Sequence, residues 1–262
     1  MALWQAIILG VVQGLTEFLP VSSDGHLALA QLLIPGFSQP GLVFDVALHL
    51  GTVVSVVALE WPRVIEAVRS RTALRLASQL AVATVFTAAV ALPLRTFAEE
   101  SYQRPLVIAA GFAMTAVLLV LGRGAGGARG PAAMPWRTVA LIGLVQGSAV
   151  LPGLSRSGST IPLGLLCGLE RRWAADFSFL LSVPAVLGAA FVEEATHHRE
   201  VMAAAATLWL PALVGALVAG LTGAGAIVAV RRIVQGGRLH LFATYLVPLA
   251  VVVALADLLG VW

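Results

Sequence analysis

Six stretches of the chain, near residues 42–60, 73–92, 105–122, 174–192, 207–230 and 241–260, are nearly free of charge. Each is about long enough to cross a roughly 30 Å hydrocarbon core as a helix. Two further apolar segments, 2–34 and 137–169, are interrupted in the middle by Leu19-Pro-Val-Ser-Ser-Asp-Gly25 and Leu151-Pro-Gly-Leu-Ser-Arg-Ser-Gly-Ser159. A lipid-facing helix cannot carry such breaks, because the freed backbone groups find no partner in hydrocarbon. The sequence therefore predicts an all-α polytopic membrane protein with six transmembrane helices and two re-entrant helix hairpins. Composition agrees: hydrophobic residues make up 59% of the 262 and charged ones 11%, against roughly 45–50% apolar in a soluble domain. Gln5, Gln13 and Glu17 inside the first apolar stretch, with no basic residues before it, argue against a cleaved signal peptide. Cys167 is the one cysteine, so no intrachain disulfide forms.

All sixteen basic residues other than histidine are arginines. Arg63, Arg69, Arg71 and Arg75 fill one connection, Arg123, Arg129 and Arg137 a second, Arg171 and Arg172 a third, Arg231, Arg232 and Arg238 a fourth. The alternate connections hold Arg95 and Arg104 beside Glu99 and Glu100, and Arg199 among Glu193, Glu194 and Glu200. Twelve arginines fall on one side and three on the other, which places the first side in the cytoplasm. They report topology and give no reason to expect a nucleic acid partner.

For this topology to close, each interrupted segment must dip in and return on its own side. Each half then has one hairpin and three spans, and the odd number of crossings inverts the second half. The expected organisation is a first repeat over 1–122, a cytoplasmic linker over 123–136 and an inverted second repeat over 137–262. Gly10-Val-Val-Gln-Gly14 recurs as Gly143-Leu-Val-Gln-Gly147, a Leu-Pro follows in each, and Ser22-x-x-Gly25 recurs as Ser155-x-x-Gly158. A second echo, Asp45-x-x-x-x-Leu50 against Asp176-x-x-x-x-Leu181, opens the span after each hairpin. In inverted-repeat membrane proteins the broken helices meet near the midplane and form the ligand site, so the two loops are expected to face each other.

The first loop carries Gln13 and Glu17 on one helical face, then Ser22, Ser23, Asp24 and His26. Helix capping accounts for Ser22, Ser23 and Asp24, but not for a histidine where a membrane helix prefers leucine, nor for a carboxylate whose burial in lipid is costly. The second loop sets Arg156 among Ser155, Ser157, Ser159 and Thr160 at a helix start, an anion cradle suited to phosphate oxygens. A structural Arg156–Glu17 ion pair is compatible with that role. Asp45 and His49 share a face of the first full span, where they line the entry or the site, or pair structurally. Serine, histidine and arginine together suit cleavage of a phosphate ester or anhydride on a lipid. On this reading a serine of the first loop, Ser22 or Ser23, or a water activated by His26 attacks phosphorus, His26 transfers protons, Arg156 with the Ser155 and Ser157 amides binds phosphoryl oxygens, and Glu17 orients His26 or a cation.

At these residues the chain resembles the undecaprenyl-pyrophosphate phosphatase family (BacA/UppP), through Gly10-Val-Val-Gln-Gly-Leu-Thr-Glu-Phe-Leu-Pro-Val-Ser-Ser-Asp-Gly-His26, Leu151-Pro-Gly-Leu-Ser-Arg-Ser-Gly-Ser-Thr160 and Asp176-Phe-Ser-Phe-Leu-Leu-Ser-Val-Pro184. The family's (E/Q)xxxE motif falls on Gln13 and Glu17, its serine and histidine on Ser23 and His26, and its PGxSRSxxT motif on Pro152, Gly153, Ser155, Arg156, Ser157 and Thr160. The resemblance implies removal of the terminal phosphate of undecaprenyl pyrophosphate at the outer face of the bacterial cytoplasmic membrane, recycling the carrier lipid for peptidoglycan synthesis and giving bacitracin tolerance. It also implies a divalent cation, Mg2+ or Ca2+. Gln13 stands where many members carry Glu, and Asp24 where Ser or Thr is usual, so Glu17 and Asp24 are the expected metal ligands.

The type 2 phosphatidic-acid phosphatases are a rival, but their motif would need a histidine at Pro162 and an aspartate at Leu166. A polyprenyl-phosphate transporter or flippase is the rival from another class; it needs the anion clamp but no proton-transfer group. Trp4, Trp61, Trp136, Trp173 and Trp262 are expected as interface anchors. Lipid chain length and oligomeric state are left open, a homodimer included.

Overall fold

The structure is a computed structural model that describes residues 1–35, 37 and 42–261. Nine α-helices are described: α1 Leu3–Phe18, α2 Ser23–Leu33, α3 Leu42–Arg69, α4 Ala73–Ser101, α5 Pro105–Leu121, α6 Trp136–Ser148, α7 Arg156–Leu166, α8 Arg171–Gln235 and α9 Ala243–Leu258. Five helical stretches, Val43–Arg69, Ala73–Ser101, Arg171–His198, Thr207–Gln235 and Leu239–Leu258, are long and apolar enough to cross a membrane. The sixth expected span, 105–122, forms α5, whose 17 residues reach only about 26 Å at 1.5 Å per residue. Leu221, Phe191 and Val54 are 77%, 73% and 67% exposed, an outer surface that suits lipid rather than water. The chain is a multi-pass membrane protein.

Residues 174–192 and 207–230, expected as separate spans, belong to one long helix that breaks at His197, where the backbone leaves helical geometry. Asp176 Oδ1 accepts from Arg231 Nε at 3.0 Å. A straight helix would hold these residues about 80 Å apart, so α8 doubles back on itself at His197. The side chains of Arg199 and Glu200, and residue Trp262, lie outside the described residues. Trp4, Trp61 and Trp136 are exposed as interface anchors require, but Trp173 is buried, packed on Phe177 at 5.6 Å between centroids. Its expected role as an anchor is not realised.

The arginine-rich connections gather at one end. Arg75 Nη2 donates to the Met134 carbonyl at 3.2 Å, Glu170 N donates to the Arg129 carbonyl at 3.0 Å, and Arg171 lies against Gly237. At the other end Arg95 pairs with Glu99 and with Glu193, from α4 and from the bend of α8.

The paired glycines bring the short helices against long ones. A Cβ on Gly10 would lie 2.6 Å from the Gly215 carbonyl oxygen, and one on Gly14 1.9 Å from Thr222 Oγ1, so α1 rides on the second arm of α8. A Cβ on Gly143 would lie 2.4 Å from the Ala83 carbonyl oxygen and one on Gly147 2.6 Å from that of Thr87, so α6 rides on α4. Small residues thus permit backbone contact that any side chain would prevent.

Candidate active site

Both interrupted segments fold as helix, short loop, helix, and each second helix starts on a serine cap. Ser22 Oγ accepts from the Gly25 amide at 3.4 Å, and Ser155 Oγ from the Gly158 amide at 3.0 Å. The Ser-x-x-Gly echo is therefore a capping echo. The loops meet: Ser157 Oγ donates to the Leu19 carbonyl at 3.2 Å, and Gly25 abuts Gly153. Gly153 has φ +87°, and a Cβ there would sit 2.1 Å from the Ile108 carbonyl oxygen, so the Leu-Pro-Gly turn admits only glycine.

Glu17 lies at the junction, 8% exposed. Its Oε2 accepts from Gln13 Nε2 at 2.9 Å and from Ser23 Oγ at 2.8 Å, while its Oε1 accepts from Arg156 Nη2 at 2.5 Å. Arg156 Nη1 also donates to the Ser178 carbonyl at 3.2 Å. The helical face shared by Gln13 and Glu17 is used as the spacing suggests, and the Arg156–Glu17 pair is formed. A guanidinium has five N–H donors in a planar fork, and two are accounted for by these bonds.

Two expectations need correction. Glu17 does not orient His26: it is hydrogen-bonded to Ser23. His26 turns the other way, its Nδ1 2.7 Å from the Ser22 carbonyl oxygen and its Nε2 2.8 Å from the Tyr245 hydroxyl. Nor is the Ser155 amide free for a ligand, because it donates to Thr115 Oγ1 at 2.9 Å. The cause in each case is a residue from a distant span, Tyr245 of α9 or Thr115 of α5, invisible to local spacing.

The remaining hydroxyls divide. Ser22 is spent on capping, Ser157 on the Leu19 carbonyl, and Thr160 on the Arg156 carbonyl at 2.8 Å and Ser178 Oγ at 2.7 Å. They hold the two loops in place. Ser23 is the one whose hydroxyl reaches a carboxylate. The amides of Arg156 and Ser157, in the first turn of α7, have no carbonyl four residues back to bond.

His49 stands beside Glu17 and Asp24, with Asp45 behind it. His49 donates from Nδ1 to the Asp45 carbonyl at 2.8 Å, and its Nε2 stands 3.6 Å from Glu17 Oε2 and 3.4 Å from Asp24 Oδ1. Asp45 Oδ1 accepts from Gln31 Nε2 at 2.9 Å. Tyr102, just past α4, lies beside Asp24. Loss of solvent, then the nearby Asp24 and Asp45 carboxylates, push the Tyr102 phenol well above its usual range, so it remains a donor. Tyr102 and Tyr245 were not singled out by sequence; each is an isolated tyrosine near a helix end, with no motif around it.

The donor set does not fit a cation held by Glu17 and Asp24. Both Glu17 oxygens already take hydrogen-bond donors, an arginine among them, and His49 stands between the two carboxylates. Among the described residues no three His, Cys, Asp or Glu side chains converge as metal ligands.

An apolar helical bundle with a hydroxyl, a carboxylate and a guanidinium joined inside it defines a membrane protein with a polar centre embedded among its helices. The chain belongs to the family of the bacitracin resistance protein BacA, whose model matches residues 6–252. It is similar to proteins named undecaprenyl-diphosphatase: 41% identical to that of Desulfosudis oleivorans, over 92% of this chain and 93% of the relative. Identity is 41% to that of Rubrobacter xylanophilus, over 96% and 97%, and 36% to that of Carboxydothermus hydrogenoformans, over 98% of both chains.

Proposed function

We propose that this chain is an undecaprenyl-diphosphatase, hydrolysing undecaprenyl pyrophosphate to undecaprenyl phosphate and inorganic phosphate. The observation that carries it is the Ser23–Glu17–Arg156 chain of hydrogen bonds at the meeting of the two loops, in a protein whose relatives bear that name. A carrier of polyprenyl phosphate would need Arg156 but has no use for a serine held on a carboxylate.

Ser23 Oγ attacks the terminal phosphorus while Glu17 Oε2, 2.8 Å away, takes its proton. Arg156 turns free N–H groups to the phosphoryl oxygens, joined by the amides at the start of α7. The bond from phosphorus to the bridging oxygen breaks, and undecaprenyl phosphate leaves with the electron pair. Water then attacks the phosphoserine. His26 Nε2 accepts a proton from that water, and the departing serine oxygen recovers its proton from Glu17. Inorganic phosphate leaves with the proton that His26 Nε2 took from the water, and Ser23, Glu17 and His26 are regenerated. The divalent cation implied by the resemblance has no ligand set built from Glu17 and Asp24, and Arg156 is the fixed positive charge of this scheme.

The fold reading that accompanies this function has six spans, α5 included, and two re-entrant hairpins, α1–α2 and α6–α7, in inverted repeats 1–122 and 137–262. What supports it is the reciprocal packing of α1 on the second arm of α8 and of α6 on α4. The basic connections face the cytoplasm of the inner membrane. Tyr102, at the opposite end of α4 from Arg75, touches Asp24, which supports an opening toward the outer face. Phosphate release from undecaprenyl pyrophosphate by purified protein, against Arg156→Ala, tests the function: a folded wild type that binds the lipid and releases nothing would reinstate the carrier.

A further inference from the structure

We infer that Tyr245 is a positioning residue for His26, contributed by the last span to a site otherwise built from the two loops; this rests on the phosphatase reading. The Ser22 carbonyl only accepts, so His26 Nδ1, 2.7 Å away, carries a hydrogen. In the neutral ring the lone pair is then on Nε2, and the Tyr245 hydroxyl, 2.8 Å from it, is the donor. The two rings stack, with centroids 5.8 Å apart and 21° between planes, and Phe112 of α5 packs on the imidazole at 5.2 Å. His26 is thus held at both nitrogens. One hold is local, four residues back in its own loop, and the other comes from 219 residues away.

Packing does not explain the phenol. Tyr245 is 48% exposed on a helix that otherwise reads Ala-Thr-Tyr-Leu-Val-Pro-Leu-Ala-Val-Val-Val, where a lipid-facing leucine would serve at least as well. Its hydroxyl does find a use: it fixes the tautomer and plane of the one imidazole in the α1–α2 hairpin, keeping Nε2 as the basic atom. The hydroxyl also holds the place beside Nε2 that a water or phosphoryl oxygen takes up when the lipid is bound. Tyr245 therefore acts through His26, and the ring stacking without the hydroxyl does only half of this.

Tyr245→Phe keeps the ring and removes the bond. Its kcat is expected to fall about tenfold with KM within about twofold of wild type, because an imidazole not held in its tautomer and plane beforehand presents Nε2 to the water less often. In 15N-histidine spectra, with His26 assigned through His26→Gln, its Nε2 signal is expected to move toward that of an imine nitrogen with no donor. A purely structural tyrosine would alter yield or melting and leave that signal in place. Wild-type kcat in Tyr245→Phe, or an unmoved Nε2 signal, overturns the inference. A wild type that releases no phosphate overturns the phosphatase reading instead, and the Nε2 signal still decides whether the pair exists.

Discussion

Ser23 and Arg156 occupy the same place in the two loops, the first residue after a serine cap, and donate to opposite oxygens of Glu17, at 2.8 and 2.5 Å. The two caps differ in backbone, Ser22 at φ +71° and Ser155 at φ −74°, yet each delivers its next residue to the same carboxylate. In the proposed mechanism the first loop supplies nucleophile and carboxylate and the second the cation, and Val150 stands where a second glutamate would fall.

Removing the carboxylate should therefore stop the attack without disturbing the anion cradle. Glu17→Gln is expected to lower kcat by about 10²–10⁴, the worth of a positioned base, with lipid binding retained. Steady-state phosphate release together with a lipid-binding assay checks this.

Arg156→Ala takes from buried Glu17 its arginine partner and leaves His49 Nε2 at 3.6 Å, a loss of up to about 3–5 kcal/mol, the cost of breaking a buried pair. Adding Glu17→Gln to Arg156→Ala should recover part of the thermal stability and none of the activity. Arg156→Lys should stay below about one tenth of wild-type activity, because one ammonium cannot serve the Ser178 carbonyl, Glu17 and a phosphoryl group together. Melting temperatures in detergent, beside rates, separate the two effects.

Asp24 faces His49 and Tyr102. Asp24→Asn should shift no cation requirement and should weaken the hold on His49, lowering kcat by about tenfold or less, as expected of a group one step removed from the reacting atoms. Rates across a Mg2+ titration check it; a cation midpoint displaced in Asp24→Asn would restore Asp24 as a ligand.

The turn between α6 and α7 holds Gly153 at positive φ against the Ile108 carbonyl. Gly153→Ala puts a methyl group into the Ile108 carbonyl from a left-handed residue and should abolish folded protein. Gly130→Ala, with nothing within 4 Å and an ordinary backbone, should leave yield and melting unchanged. Size-exclusion profiles of the two variants compare them directly.

Much of this arrangement is legible in the chain. The glycine pairs, the serine caps and the facing of the loops follow from periodicity and from two matched echoes, because these contacts are local or lie at the echoed segments. Glu17 and Arg156 stand out because ionised groups are costly in lipid. The wiring of His26 is not legible: one short loop offers the imidazole both Ser23 and Glu17, and only the packing of α9 shows that Tyr245 takes Nε2. The continuity of α8 was hidden for a related reason, since charges at 193–200 read as a loop while the backbone bends sharply only at His197.

The central claim is that Ser23, held by Glu17, forms a phosphoenzyme. Acid-quenched mixing of purified wild type with undecaprenyl pyrophosphate, followed by mass spectrometry of the peptide containing Ser23, measures it directly. A phosphate on Ser23 that appears before free phosphate, and is absent in Glu17→Gln at the same times, is the expected result. Full phosphate release by Ser23→Ala, with no modified serine at any time, would contradict it.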